Sequence, residues 1–408
     1  MASILNIFDG PIYDSSITKI EEVIVNPSNP NAISNNDVIH FSQNQVDTLL
    51  LISRGFVEIS GKLSKETGDK ESKETAITST GLANAGALHF FSRAVLKLNS
   101  HTVEEVYDVP HTCIPKIYGT FAEGETRNLA VMGWKTDLIS GGKFTARIPL
   151  RVLFGIAEDV RNVLVNTRLE IDLTRSQSDV NALHSTATEA GVSVKLTKIA
   201  LSIPHVKVND ARRLQILKVM EKNKSLKLAF RTWELYQYPS LPVAKKHSWT
   251  IKTSTQLEKP RAVILFFQNG RNNVKTKSSS EYDHLKLRNA KVIINGEHYP
   301  SPSNQDQDFS TNNYLTFYDW YTSFHESFHN FPNPYPLLTF TAFKTEAPLV
   351  IIDTSHQKEA IKNSVVDVRV DLEFQEDPPA NTTAFCLISR DSVFEYSPFT
   401  GTVKKHEG

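Results

Sequence analysis

Residues 168–173 read Arg168-Leu169-Glu170-Ile171-Asp172-Leu173, and residues 369–374 read Arg369-Val370-Asp371-Leu372-Glu373-Phe374. Each alternates apolar and charged with a period of two. That period belongs to a half-buried β-strand, because successive side chains point to opposite faces of a sheet. Leu169, Ile171 and Leu173 are expected to face a core, and Arg168, Glu170 and Asp172 to face water. The basic residue and both acids recur in the same places, 201 positions on. A second pair agrees: residues 94–99 (AVLKLN) and 290–295 (AKVIIN) are short strands ending at a turn residue, 196 positions apart. Identity within the pairs is low, but two matches at nearly equal offset predict one β-rich unit present twice.

The chain of 408 residues has room for two domains, each of about 200 residues, near the upper end for all-β units. Apolar residues make up 40% and charged residues 22%, as in ordinary globular proteins. Lys plus Arg balances Asp plus Glu, 45 against 45, so no global basic excess draws the chain onto nucleic acid or an anionic membrane. The stretch MASILNIFDG has neither a basic region nor an apolar run, so no signal peptide is read there. Runs such as residues 262–267 (AVILFF) fall far short of a membrane span, which needs about 20 residues. Cys113 and Cys386 are too few for a disulfide framework, which suggests a reducing compartment of synthesis. The sequons at Asn223 and Asn381 are read as chance matches without a secretory signal.

Along the chain, residues 1–35 are polar with clustered Asn, Ser and Pro, and read as an extended N-terminal arm that orders against a neighbour. Residues 62–75 (KLSKETGDKESKET) read as a charged surface loop. The residues from 87 to 175 read as strand, turn, strand. One helix is expected after Asn209 or Asp210, with Leu214, Leu217 and Met220 on its apolar side. Strands follow through residues 228–300, a polar and aromatic excursion fills 301–336, and strands resume at 337–343, 349–353, 365–374 and 384–388. The expected domains are an arm (1–35), a first sandwich (36–208), a linker helix (209–224), a second sandwich (225–395) and a C-terminal tail (396–408).

Several motifs resemble chemistry. His325-Glu326-Ser327-Phe328-His329 matches the H-E-x-x-H zinc pattern, which needs a helix and a third ligand. Asn330, Pro332 and Pro334 follow at once, so no helical context is expected, and Glu346, the conceivable third ligand, adjoins a strand. Asp353-Thr354-Ser355 resembles an aspartic-protease turn, but it lacks the glycine and its only candidate partner is Asp14 in the arm. Gly119 and Gly124 are followed by Glu125, and Gly141-Gly142-Lys143 by Phe144; neither forms a phosphate cradle. Residues 245–247 and 404–406, each Lys-Lys-His, read as solvated basic spots. The expectation is no catalytic residue, no metal and no cofactor.

Residues 148–159 (IPLRVLFGIAED) and 169–175 (LEIDLTR), with Ile203-Pro204-His205-Val206, residues 258–261 (EKPR), Phe266-Phe267-Gln268, Leu287-Arg288-Asn289 and residues 379–385 (PANTTAF), form an ordered series. It resembles the double jelly-roll major capsid proteins, in particular those of Polinton (Maverick) elements and adintoviruses, over about residues 85–395. The resemblance implies two eight-stranded antiparallel jelly rolls side by side, and a homotrimer forming a pseudo-hexameric capsomer. It implies lateral capsomer contacts, an icosahedral shell around double-stranded DNA, penton and minor capsid proteins as partners, and at most weak non-specific contact with the genome. The virion is then the expected location. The first 80 residues and the 301–336 excursion match less well. The rival readings are a carbohydrate- or receptor-binding jelly-roll module, a domesticated host protein of capsid origin, a minor capsid protein, and an enzyme acting through His325 and His329 or Asp353.

Overall fold

The computed structural model describes residues 16–29, 33–44, 48–65, 80–186, 191–222, 224–251, 260–300, 305–330, 335–356 and 366–406. The first roll is built from Ile17–Val25 (β1), Val38–Gln43 (β2), Phe56–Lys65 (β3), Phe91–Leu98 (β4), His101–Tyr107 (β5), Lys143–Pro149 (β6), Leu169–Arg175 (β7) and Val192–Val208 (β8). The second uses Leu226–Tyr238 (β9), Lys246–Ile251 (β10), Pro260–Asn269 (β11), Leu287–Ile294 (β12), Glu297–Tyr299 (β13), Val350–Asp353 (β14), Val368–Phe374 (β15) and Thr382–Tyr396 (β16).

In the first roll the strands pair antiparallel as β1-β8-β3-β6 and β2-β7-β4-β5. In the second they pair as β9-β16-β11-β14 and β10-β15-β12-β13. Each strand of one roll thus has its counterpart eight places on. Short added strands at Leu49–Leu50 and Leu164–Val165 extend the first roll's larger sheet.

The opening repeat falls on β7 and β15, and the second pair on β4 and β12, which are hydrogen-bonded neighbours in each roll. The register differs between copies: Ile171 faces Leu96, whereas Leu372 faces Ala290, the counterpart of Ala94. A two-residue shift keeps every side chain on its face, so both copies bury the same pattern.

The acids of β7 depart from expectation. Glu170 is buried, its carboxylate held 2.6 Å from Arg168. Asp172 takes Lys97 at 2.6 Å and His40 at 2.5 Å from the two neighbouring strands. Burial pushes the Asp172 carboxyl up, but these two hydrogen bonds outweigh it and leave it below the ordinary range. At Asp172 the charged side is therefore tied across three strands, whereas Glu170 is paired along its own strand.

Helices are more numerous than expected. Val109–Thr120 (α1) and Leu315–His329 (α4) lie between the counterpart strand pairs β5/β6 and β13/β14. Gly155–Asp159 (α2) follows β6, Asp210–Glu221 (α3) joins the rolls, and Phe340–Thr345 (α5) occupies residues expected as strand. Asn209 caps α3 by accepting from the Arg212 amide, and Thr339 caps α5 by accepting from Ala342. The expected arm is not arm throughout, since Ile17–Val25 pairs along Val208 to Leu201 of β8. In the expected tail, Val403–Lys405 pairs with the end of β16. The expected charged loop begins inside β3 and from residue 66 lies outside the described residues, as do Asp14 and Asn223.

Residues 262–268 of β11 are all buried. β11 has neighbours on both edges, and α1 lies over it, with Gly119 against Ile264 and Ile351. Covering both faces is why this strand reads as a continuous apolar run. One apolar cluster runs from Ile39 to Val403 through both rolls.

Candidate functional site

The zinc-like motif is helical after all. α4 places His325 and His329 one turn apart with ring centroids 4.6 Å apart, and Asn330, at φ +50°, ends the helix. The prolines thus follow a helix that precedes them. The remaining ligand geometry is absent. His325 is fully buried, its nitrogens make no well-aligned hydrogen bond, and burial holds its pKa below the ordinary value against a weaker pull from the Phe121 backbone. His329 Nε2 bonds the Thr120 carbonyl at 2.5 Å. Glu326 faces solvent, and Glu346 is held by Lys135 at 2.8 Å. Among the described residues no three His, Cys, Asp or Glu side chains converge on a metal position.

The other sequence candidates stay apart. Asp353 ends β14 exposed, and its carboxylate accepts from the Ser355 amide in a local turn. Gly141 and Gly142 form a left-handed turn before β6, at φ +57° and +72°. Lys246 pairs with Glu373 at 3.4 Å and His406 with Glu395 at 3.2 Å, so these basic spots are partly neutralised at sheet edges. Cys113 and Cys386 are buried free thiols, and burial pushes Cys113 up to about 12.

Sequence reasoning missed a polar seam joining the rolls. Ser280 Oγ lies 3.0 Å from His89 Nε2, and Asp108 lies 2.8 Å from His111 Nδ1, whose Nε2 meets Gln268 at 3.1 Å. A nucleophile beside a base resembles covalent catalysis. Yet Ser280 and His89 are sealed from solvent, Ser280 donates to the Asn84 carbonyl, and burial lowers His89 to about 3. These contacts fasten one roll to the other. A substrate would have no way in.

A second cluster surrounds α2. Asp159 grips Arg231 of β9 through both carboxylate oxygens, and the guanidinium stacks 3.6 Å over Phe328. The buried Glu104 carboxylate accepts from the Gly155 and Ile156 amides at 2.8 and 3.0 Å, capping α2. Burial nevertheless raises Glu104 to about 7, the amides and Lys116 offsetting only part of it. Two further hydrogen bonds join the rolls: Tyr321 donates to Tyr118 O at 3.0 Å, and Thr167 donates to the Tyr396 hydroxyl at 2.8 Å. None of these pairings has a period or a spacing that a linear reading detects.

Two sandwiches of one strand order, fused through a single core and a sealed seam, define the double jelly-roll class. The chain belongs to the double jelly roll-like domain family, whose model matches residues 80–394. The mavirus major capsid protein has the same fold at TM-score 0.63 and 12% identity, covering 98% of this chain and 92% of that one. A chain of the Sputnik virophage matches at TM-score 0.64 and 11% identity, covering 98% and 91%. The Faustovirus major capsid protein matches at 0.59 and 9%, covering 95% and 92%. No curated protein sequence matches significantly. Among the described residues no helix is long and apolar enough to cross a membrane.

Proposed function

We propose that this chain is a major capsid protein, a shell subunit with no enzymatic role. The observation that carries the reading is the duplicated sandwich locked by one continuous core, which makes a rigid two-lobed brick. Three such bricks present six similar lobes, so a homotrimer has a pseudo-hexagonal outline suited to lateral tiling. A heterologous contact that closes into a ring gives such a trimer, and obligate interfaces of this kind bury on the order of 2,000 Å² or more. An icosahedral shell around double-stranded DNA, penton and minor capsid partners, and location in the virion follow from the same reading. The balanced charge fits a protein that encloses a genome with only weak contact. The ordered series at 148–159, 203–206 and 379–385 supports placing it with the Polinton and adintovirus capsid proteins.

Sedimentation of the purified chain tests this, with a species of three-chain mass expected and hexagonal particles in negative stain. A strictly one-chain species at micromolar concentration rejects the reading.

A further inference from the structure

A cavity of about 660 Å³ opens among the loops at one end of the second roll. Its walls are residues 270–286 between β11 and β12, the end of α5, and residues 376–379 between β15 and β16. Loops held on a rigid sandwich are where binding residues concentrate, and the volume is in the range of small-ligand sites. The wall is braced from within. Arg271 grips Asp283 through two nitrogens, at 2.8 and 3.1 Å, and also donates to Glu281 and to the Ser278 carbonyl. Leu285 and Lys286 both stand in the left-handed region, at φ +48° and +55°. A leucine there is uncommon, and such strain persists where the surroundings hold it, often at ligand sites. Here the Lys286 amide donates to His284 Nδ1 and the Gln375 amide to the Lys286 carbonyl, each at 3.0 Å. Because Nδ1 accepts, the His284 proton sits on Nε2, which has no hydrogen-bond partner among the described residues.

The charges select the ligand. Arg271, Lys277, Lys286 and Lys344 line the cavity against the carboxylates of Asp283, Glu376 and Asp377, four cations to three acids. Arg271 and Lys286 are taken by Asp283 and Glu376. Lys344 bonds only neutral oxygens, the Phe309 carbonyl at 2.7 Å and Asn312 Oδ1 at 2.8 Å, and Lys277 bonds only the Asn269 carbonyl, at 3.4 Å. Both ammoniums thus keep an uncompensated charge, and among the described residues Asp377 has no ion pair. The carboxylates repel a polyphosphate, whereas a single anionic group suits the two uncompensated ammoniums. A nucleobase finds no aromatic platform, because Tyr282 is buried against Phe266 and the His284 ring is itself stacked on Phe309. Leu285 and Pro379 offer apolar contact, while Asp377 and His284 offer an acceptor and a donor for hydroxyl groups.

We propose that this cavity binds one acidic monosaccharide, free or at the end of a glycan, with its carboxylate on the Lys277 and Lys344 ammoniums and its hydroxyls on Asp377 and His284. The inference does not depend on the capsid reading.

Saturation-transfer NMR on the full chain tests this with glucuronic acid, N-acetylneuraminic acid and sialyllactose, each at about 10 mM, enough to fill a site of millimolar Kd. Transfer to at least one of them is expected. Stronger transfer to sialyllactose than to free N-acetylneuraminic acid marks a glycan end as the source, and the reverse marks the free sugar. The signal is expected to fall at least about fivefold when glucuronic acid is replaced by its methyl ester, and equally in Lys277→Glu. Lys277 is exposed, so its replacement spares the core. No transfer to any acidic sugar, equal transfer to the methyl ester, a signal unchanged in Lys277→Glu, or full displacement by equimolar adenosine monophosphate overturns the proposal.

Discussion

Gly155 sits where α2 meets β9, and a Cβ there would overlap the carbonyl oxygen of Arg231. The obstacle is backbone, so the helix itself must move. Gly155→Ala is expected to cost about 3 kcal/mol or more, the upper range for overpacking, measured by denaturant unfolding. A change under about 1 kcal/mol would refute the close approach. Its neighbour Glu104 gives a pH signature. The carboxyl is raised from 4.5 to about 7 in the folded chain. Between those values the folded state holds more protons than the unfolded one, so stability falls as pH rises through that window. The loss is bounded by roughly 3 kcal/mol, from about 1.4 kcal/mol per pKa unit. Glu104→Gln is expected to flatten the slope between pH 4.5 and 7, while losing one acceptor for the two α2 amides. Parallel wild-type and variant curves would rule this out.

At the scale of elements, the helices show what a linear reading obscures. α1 carries Pro110 at its start, where proline is tolerated, and Pro115 within it, which argues against a helix on propensity. Packing overrides the cost, because almost all of α1 is buried between the rolls. α4 is rich in Phe, Tyr and Trp, which read as strand or loop. Its buried set of Phe317, Tyr321, Phe324 and His325 nonetheless follows helical spacing, so that signal was present in the sequence. The linker helix α3 was legible because Asn209 caps a run of good helix formers. At the α1–α4 contact, the Tyr321 hydroxyl bridges Tyr118 O and the Leu338 amide. Tyr321→Phe leaves that buried amide unpaired and is expected to cost about 1–3 kcal/mol. A neutral effect on thermal unfolding would show that the bridge is not needed.

On the scale of the molecule, both rolls share one apolar cluster and an interlocked seam. They are expected to unfold together. Calorimetry should give one transition whose van't Hoff and calorimetric enthalpies agree, and two separated transitions would contradict the shared core. The duplication was readable because strand period and charge order survive divergence: a half-buried strand must alternate, whatever its exact residues. The sequence by itself therefore determined that a β-rich unit occurs twice with a helix between, and which faces of β7 and β15 are apolar. Only the tertiary structure decided that Asp172 is tied to Lys97 and His40 across strands, that His325 and His329 share a helix without a metal geometry, and that Ser280 and His89 meet where solvent does not reach. Those outcomes depend on distances between residues up to some two hundred positions apart, which alternation along one strand does not encode.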